Sequence, residues 1–368
     1  MKAISNDQKG VINLGNLILV INPGSTSTKI AIFDGEKLRF ERKISHPTEE
    51  IQRFPNVASQ FNFRKEVILK TLEEFHFDIS TLQAVCGRGG MLRPMQSGTY
   101  LINETMISDL RLAKRGEHAS NLGALLAFEI GNSLKIPSFI VDPVAVDEME
   151  EIARISGMPL IHRNCIFHAL NHKAIGRQVA NDKGRRYEDM NMIVVHLGGG
   201  ISVAAHQHGR VIDVNDALDG DGPMSPERSG GVPIGQLYAM CFSGKYTLED
   251  IKRMNYGNGG LAGYLGTNDA REVVKRIEQG DEYAKLIFDA MIYQIAKEIG
   301  ACATVLKGQV DCIVLTGGLA YGKYLVSHLI ERVSFISEVL VYPGENEMLS
   351  LAQGALRVLV GQESPKVY

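Results

Sequence analysis

Residues 17–21 (LILVI) form an unbroken apolar run, the pattern of a short buried strand. The run ends in NPGSTST at 22–28, and 29–33 then alternates apolar and polar as a second strand. Asp34 and Gly35 signal a tight hairpin, from which 37–42 returns as a third strand. The chain therefore opens as an antiparallel meander whose first corner is polar and glycine-containing. Over 64–76 the spacing becomes helical, with Val67, Ile68, Leu72 and Phe75 on one face. A strand over 82–85 runs into GRGG at 87–90, helices are predicted over 104–115 and 118–132, and a strand over 138–141 ends at Asp142. The pattern then restarts. A strand over 192–196 meets the turn LGGG at 197–200, and strands at 201–205 and 209–213 complete a second meander. Helices are predicted over 270–280 and 283–306, a strand over 311–315 ends in TGG at 316–318, and a last helix covers 348–360.

The repeated meander predicts two similar α/β domains, each offering a glycine turn to a shared cleft. The expected boundaries are a mobile leader over 1–16, a first domain over 17–155 plus 349–368, and a second over 156–348. A length of 368 residues suits two domains. With 45% hydrophobic and 22% charged residues the chain is not a disordered one. A formal net charge of −3 offers no basic surplus for nucleic acid or an anionic membrane. Asn6, Asp7, Gln8 and Lys9 interrupt any signal-peptide core, and the run at 17–21 is too short to span a bilayer, so a soluble cytoplasmic protein is expected. The five cysteines form no CxxC pair and lie among apolar or glycine neighbours, which predicts buried, reduced thiols. Glycine, at 38 residues, exceeds the usual share of roughly 7% and concentrates in specific turns.

Those turns carry the candidate chemistry. At the first corner, backbone amides around Gly24 and the hydroxyls of Ser25, Thr26 and Ser27 could converge on a phosphate, although an ordinary hairpin loop has the same composition. At the second, three successive glycines, Gly198, Gly199 and Gly200, require either positive φ or close backbone approach, beside His196. The third, Thr316, Gly317 and Gly318, could let a nucleotide lie flat against backbone. Arg88 sits between glycines at a strand end, placed to hold a carboxylate or phosphate. Arg228 lies in the Pro- and Gly-rich loop 222–233, a candidate active-site loop or a plain surface loop. His168 and His172 have the i, i+4 spacing of a helical metal pair, but the glutamate of HExxH is missing. Asp142, at a strand end, could serve Mg2+ or cap a turn. Glu345 and Glu347 could be helix N-terminal acids or site carboxylates, and spacing does not choose between them.

These segments, in this order, resemble the acetokinase family of acid kinases. The matching stretches are VINPGSTSTKIAIF (20–33), VCGRGGMLRP (85–94), GTYLIN (98–103), FIVDPVAVDE (139–148), FHALNHKAIGR (167–177), VVHLGGGISV (194–203), DGDGPMSPERSGGVP (219–233), LTGGLAYG (315–322) and ENEMLSLAQGALRVL (345–359). The loop with SPERSGG points to the branch acting on butanoate. The resemblance implies a duplicated, ribonuclease H-like α/β fold of the actin-like ATPase type, ATP/ADP with Mg2+ in an interdomain cleft, and phosphoryl transfer to a small carboxylic acid by a homodimer or larger homo-oligomer. By position it implies that Asn22 lies near the transferred phosphate and metal, and that Arg88 and Arg228 hold the carboxylate and the phosphoryl group. It places Asp142 near the metal and the attacking carboxylate, Glu347 on Mg2+, and His168 on the phosphoryl group, with His172 outside the chemistry. Ala169, Leu170 and Asn171 replace the Gly-Thr-Ser of the acetate-type HGTSH pattern, so acetate, propionate and isobutyrate stay open as substrates. A nucleotide-dependent sensing module without acid turnover is the alternative of a different class.

Overall fold

A computed structural model of the chain describes residues 15–368. The expected leader, apart from Gly15 and Asn16, lies outside the described residues. Two compact units are formed. The first runs to Arg88 and adds Thr99–Val141 and Leu351–Tyr368; the second comprises Gly89–Gly98 and Asp142–Ser350.

The first unit contains β1 (Leu17–Pro23), β2 (Ser27–Asp34), β3 (Lys37–Ser45), β4 (Ala84–Gly87), β5 (Thr99–Leu101), β6 (Ser138–Val141) and, at the far end of the chain, β12 (Lys366–Val367). They make one sheet in the order β12-β5-β6-β4-β1-β2-β3. In the second unit β7 (Asn191–Leu197), β8 (Ile201–Gln207), β9 (Arg210–Val214), β10 (Cys312–Gly317) and β11 (Val339–Pro343) make a sheet in the order β11-β10-β7-β8-β9. The two sheets share their plan. β1-β2-β3 and β7-β8-β9 are antiparallel meanders, and each leading strand continues into two parallel neighbours, β4 and β6 or β10 and β11. The predicted duplication is thus present over five strands of each sheet, with β5 and β12 added to the first.

Burial explains the hydropathy. Ile18 to Ile21 of β1 and all of β7 and β10 are buried, as central strands covered on both faces must be. β3 lies at an edge, mostly exposed, and carries Lys37, Arg39, Glu41, Arg42 and Lys43, charges that blunt an unpaired edge. On one face of the second sheet the long helix Glu282–Val305 and the helices Ala270–Glu278 and Lys323–Val333 close a core around Ile193, Val195, Val203, Phe288 and Ile292. On the other, the helix Ala169–Asp182 packs Ile175 and Val179 against Met192, Val194 and Val314.

The chain leaves the first unit earlier than the sequence suggests. Residues 89–98 and 142–147 join by backbone hydrogen bonds (Met95 N to Ala145 O, 3.1 Å; Asp147 N to Met95 O, 2.8 Å), which ties both stretches to the second unit. The division therefore falls at 141/142 and 350/351, where 155/156 and 348/349 were expected. Asp142, with φ +38°, turns the chain at that point. One cysteine expectation is corrected: Cys86, Cys165, Cys302 and Cys312 are buried, but Cys241 is exposed, on the helix Ile234–Cys241, none of whose residues is buried. No helix among the described residues is long and apolar enough to cross a membrane.

Candidate active site

In the first unit the β1–β2 corner is built from below. Arg64, fully buried on the helix Phe61–Glu74, donates from Nη1 to the carbonyls of Gly24 (2.9 Å) and Ser27 (3.0 Å) and from Nη2 to that of Ser25 (3.1 Å). The Thr26 carbonyl accepts from His46 N (2.8 Å). Four successive carbonyls are thus held toward the protein. The amides of Ser25 and Thr26, in exposed residues, donate to no group among the described residues, which is the arrangement of an anion-binding turn. Among the described residues no carboxylate ion-pairs with Arg64, which bonds Gln60 Oε1 and Thr28 Oγ1 instead; burial lowers its pKa to about 10. Asn22 and Arg88 belong to the same unit, Arg88 half-buried just beyond β4 with its N–H on the Ile21 carbonyl (2.9 Å).

In the second unit the loop 222–233 folds onto the glycine turn between β7 and β8. Ser225 Oγ donates to the Gly199 carbonyl (2.6 Å) and accepts from Arg228 N (3.1 Å). Arg228 is thereby brought against Gly200, where a Cβ would stand 3.3 Å from the guanidinium carbon and 2.9 Å from the Ala217 carbonyl. Close approach, not positive φ, is what this glycine run serves. The guanidinium packs 4.5 Å over the ring of Tyr256, and its buried Nε has no partner among the described residues. The third turn adjoins the second through β-ladder pairing of Thr316 with His196. Gly317 has φ +89°, and a Cβ there would come within 2.4 Å of the Leu197 carbonyl, so only glycine fits. The Thr316 hydroxyl, in a turn expected to bind the nucleotide, is buried and donates to the Gly344 carbonyl (3.3 Å). His196, also expected there, has both ring nitrogens engaged: Nδ1 with Asn171 Oδ1 (2.8 Å) and Nε2 with Glu345 Oε1 (3.1 Å). Glu347 opens the helix Glu347–Leu359 two residues on.

His168 caps the helix Ala169–Asp182 and stacks on His196 with ring centroids 3.8 Å apart. His172, one turn on, is fully buried. Its ring nitrogens are hydrogen-bonded to His206 Nε2 (3.3 Å) and Ser202 Oγ (2.8 Å), and His168 Nδ1 meets the same Ser202 hydroxyl (2.9 Å). Asp142 is buried with both oxygens occupied: Oδ1 accepts from Ser97 Oγ (2.6 Å) and Gly98 N (2.7 Å), and Oδ2 from Arg177 Nη1 (2.9 Å). Burial would raise its pKa, but Arg177 and the Ser97 hydroxyl hold it below the usual carboxylate value.

Arg64, Arg177, Ser202 and Asn171 escaped the sequence reading. Arg64 did leave a signal, since it shares the i, i+4, i+8 stripe of Ile68 and Leu72, where a surface arginine does not belong.

Several histidines resist protonation. His46 is lowered to about 4, by burial and then by the Arg64 charge; burial also lowers His118, and His172 and His206 strongly. The unfolded chain takes up these protons near pH 6.5 and the folded chain does not, so stability is full above about pH 6.5 and is lost as pH falls from there toward 4. The urea midpoint should drop between pH 7.5 and 5.5; equal midpoints would contradict this.

The acetokinase family pattern matches residues 159–351. A probable butyrate kinase of Clostridium botulinum (strain Alaska E43 / Type E3) is 54% identical over 351 residues, covering 95% of this chain and 99% of that protein. The chain belongs to the acetokinase family. An acetate kinase from Porphyromonas gingivalis matches the structure with a TM-score of 0.75 at 21% identity, over 94% of this chain and all of the other. A propionate kinase from Francisella tularensis subsp. tularensis SCHU S4 gives 0.70 at 19%, over 92% and 98%. The duplicated sheets are therefore the acetokinase version of the actin-like ATPase fold. As an acetokinase-family member the chain is an ATP/ADP-dependent phosphotransferase with a carboxyl group as acceptor, a kinase of short-chain fatty acids.

Proposed function

We propose that the chain catalyses reversible phosphoryl transfer between ATP and butanoate, giving butanoyl phosphate and ADP by direct in-line attack of the carboxylate. The observation that carries this reading is Arg228, a cation held on the second glycine turn with a buried Nε that has no partner among the described residues. Butanoate as the acid is supported by the 54% identity to a probable butyrate kinase. A carboxylate is already nucleophilic at neutral pH, so the work is to bring two anions together and stabilise the charge that spreads over the equatorial oxygens. In this reading Arg88 and Arg228 hold the carboxylate and the phosphoryl group, His168 donates to the latter, and the amides of Ser25, Thr26 and Gly198–Gly200 receive phosphate oxygens. Mg2+ supplies charge neutralisation on the nucleotide. In this reading the ion would be held mainly by phosphates and water, with Glu347 and Asn22 contributing; Asp142, also expected on it, has its oxygens hydrogen-bonded to Ser97, Gly98 and Arg177. Asp142 then acts by fixing Arg177 and the Ser97–Gly98 backbone.

Hydroxamate trapping with Mg-ATP and equal concentrations of acetate, propionate, butyrate, isobutyrate and valerate tests the reading. A maximum at butyrate is expected. A maximum at acetate would move the substrate, and no product with any acid, beside measurable ATP binding, would replace the kinase by a sensing module.

A homodimer or larger homo-oligomer is supported by the helix Ile234–Cys241, apolar yet without a buried residue, and by the neighbouring Phe242, 89% exposed. Phe242→Asp is expected to turn a wild-type oligomer into a monomer by light scattering; a monomeric wild type would remove the proposal.

A further inference from the structure

A row of polar groups runs beneath His168 through the interior of the second unit. Ser202 and His206 lie on one face of β8, with Ala204 between them, and that face meets the helix bearing His172. Tyr187 OH is 2.6 Å from His206 Nδ1, His206 Nε2 is 3.3 Å from His172 Nδ1, His172 Nε2 is 2.8 Å from Ser202 Oγ, and Ser202 Oγ is 2.9 Å from His168 Nδ1. His172, Ser202 and His206 are completely buried, and Tyr187 nearly so. Each histidine in the row uses its two nitrogens in opposite senses, so the direction of one hydrogen bond dictates the direction of all the others.

We propose that Tyr187, His206, His172 and Ser202 are positioning residues that fix the tautomer of His168, leaving its proton on Nε2 as the donor to the transferred phosphoryl group. The proposal rests on the assignment of His168 to that role. With the Ser202 hydroxyl proton spent within the row, neutral rings have two consistent arrangements: the three imidazoles all carry their proton on Nε2, or all carry it on Nδ1. Burial, and the Lys173 charge close by, keep His172 and His206 neutral. Tyr187 chooses between the two arrangements. Its ring packs in an apolar cluster with Val179, Met190 and Val194, and its hydroxyl bonds His206. If the phenol accepted from His206, its own proton would be buried without an acceptor. The phenol therefore donates to His206 Nδ1, and the Nε2–H form propagates through His172 and Ser202 to His168. Lys173 holds this end of the row: its ammonium bonds Glu148 Oε2 (2.5 Å) and the Gly209 carbonyl (2.8 Å) and lies 5.8 Å from the Tyr187 ring centroid.

The test is long-range 1H–15N correlation on full-length protein labelled with 15N-histidine at pH 7.5. In the wild type His168, His172 and His206 are each expected as a single Nε2–H tautomer. Tyr187→Phe deletes one oxygen and should let a second tautomer appear at His168, three hydrogen-bonded groups away, with kcat reduced on the order of tenfold and the KM values for ATP and acid unchanged. Ser202→Ala should give the same result at His168 while His206 keeps its wild-type signal, and Ser202→Thr, which restores the hydroxyl, should recover the wild-type tautomer. An Nδ1–H tautomer at His168 in the wild type would overturn the proposal. So would a Tyr187→Phe variant with unchanged His168 signals and kcat. Because the tautomers are read without turnover, a wild type that makes no acyl phosphate would sink the kinase reading alone.

Discussion

The Arg228→Ala variant is expected to form acyl phosphate about 10²–10³-fold more slowly than the wild type, with nucleotide affinity nearly unchanged. The guanidinium is largely buried, with its side chain 17% exposed. It lies 4.5 Å over the Tyr256 ring centroid and against the Gly200 backbone, so its position is fixed before any ligand arrives. The nearest carboxylate, on Glu227, stands 3.8 Å away, too far for a good hydrogen bond. A preset cation with donors to spare stabilises charge that develops during transfer more than charge already present on ATP, so the loss should fall on kcat. Arg228→Lys should recover little, because a single ammonium cannot reproduce a planar fork stacked on an aromatic ring. Hydroxamate rates beside calorimetric titration of ATP separate the two effects. Near-normal turnover in Arg228→Ala would remove this residue from the chemistry.

How far the sequence discloses this arrangement depends on the physical signal each element leaves. The two meanders were legible because an apolar run, a glycine corner and a hairpin signal coincide at 17–35 and again at 192–209, and local patterns of that kind need no knowledge of tertiary contacts. β5 and β12, three and two residues long, are defined only by the strands they pair with, and no period can show in so few positions. The division at 141/142 depends on backbone bonds between 95 and 145–147, a long-range pairing that composition does not mark. The exposed helix Ile234–Cys241 reads as core from its composition, because hydropathy reports how apolar a face is and not what covers it. At the site the glycine turns and Arg228 stood out as residue types with few other uses. The residues that hold them did not: Ser225, Asn171 and Ser202 are ordinary polar residues until their partners are known.

Arg64 is the most consequential of those supports. The Arg64→Met variant keeps the length and apolar stem of the side chain and removes five donors, leaving the part-buried carbonyls of Gly24 and Ser25 without this partner and that of Ser27 with the Gly24 amide alone. At about 1–3 kcal/mol for each unsatisfied group, partly relieved by water reaching the exposed corner, a net loss of about 3–5 kcal/mol is expected. That corresponds to a Tm lower by roughly 10 °C. A second effect is separable from the first. With the carbonyls no longer held inward, the Ser25 and Thr26 amides lose their common direction, and the positive charge beneath the turn is gone. The KM for ATP should therefore rise by about tenfold or more, the equivalent of one or two lost amide–phosphate bonds, even at temperatures where the variant is fully folded. Arg64→Lys should fall between, since one ammonium can meet some of these carbonyls but not the whole set with Gln60. Differential scanning calorimetry and ATP saturation curves at 20 °C check both parts. A Tm within 2 °C of wild type would show that the corner keeps its shape unaided, and a lowered Tm with an unchanged KM would show that Arg64 stabilises the unit without preparing the turn for phosphate.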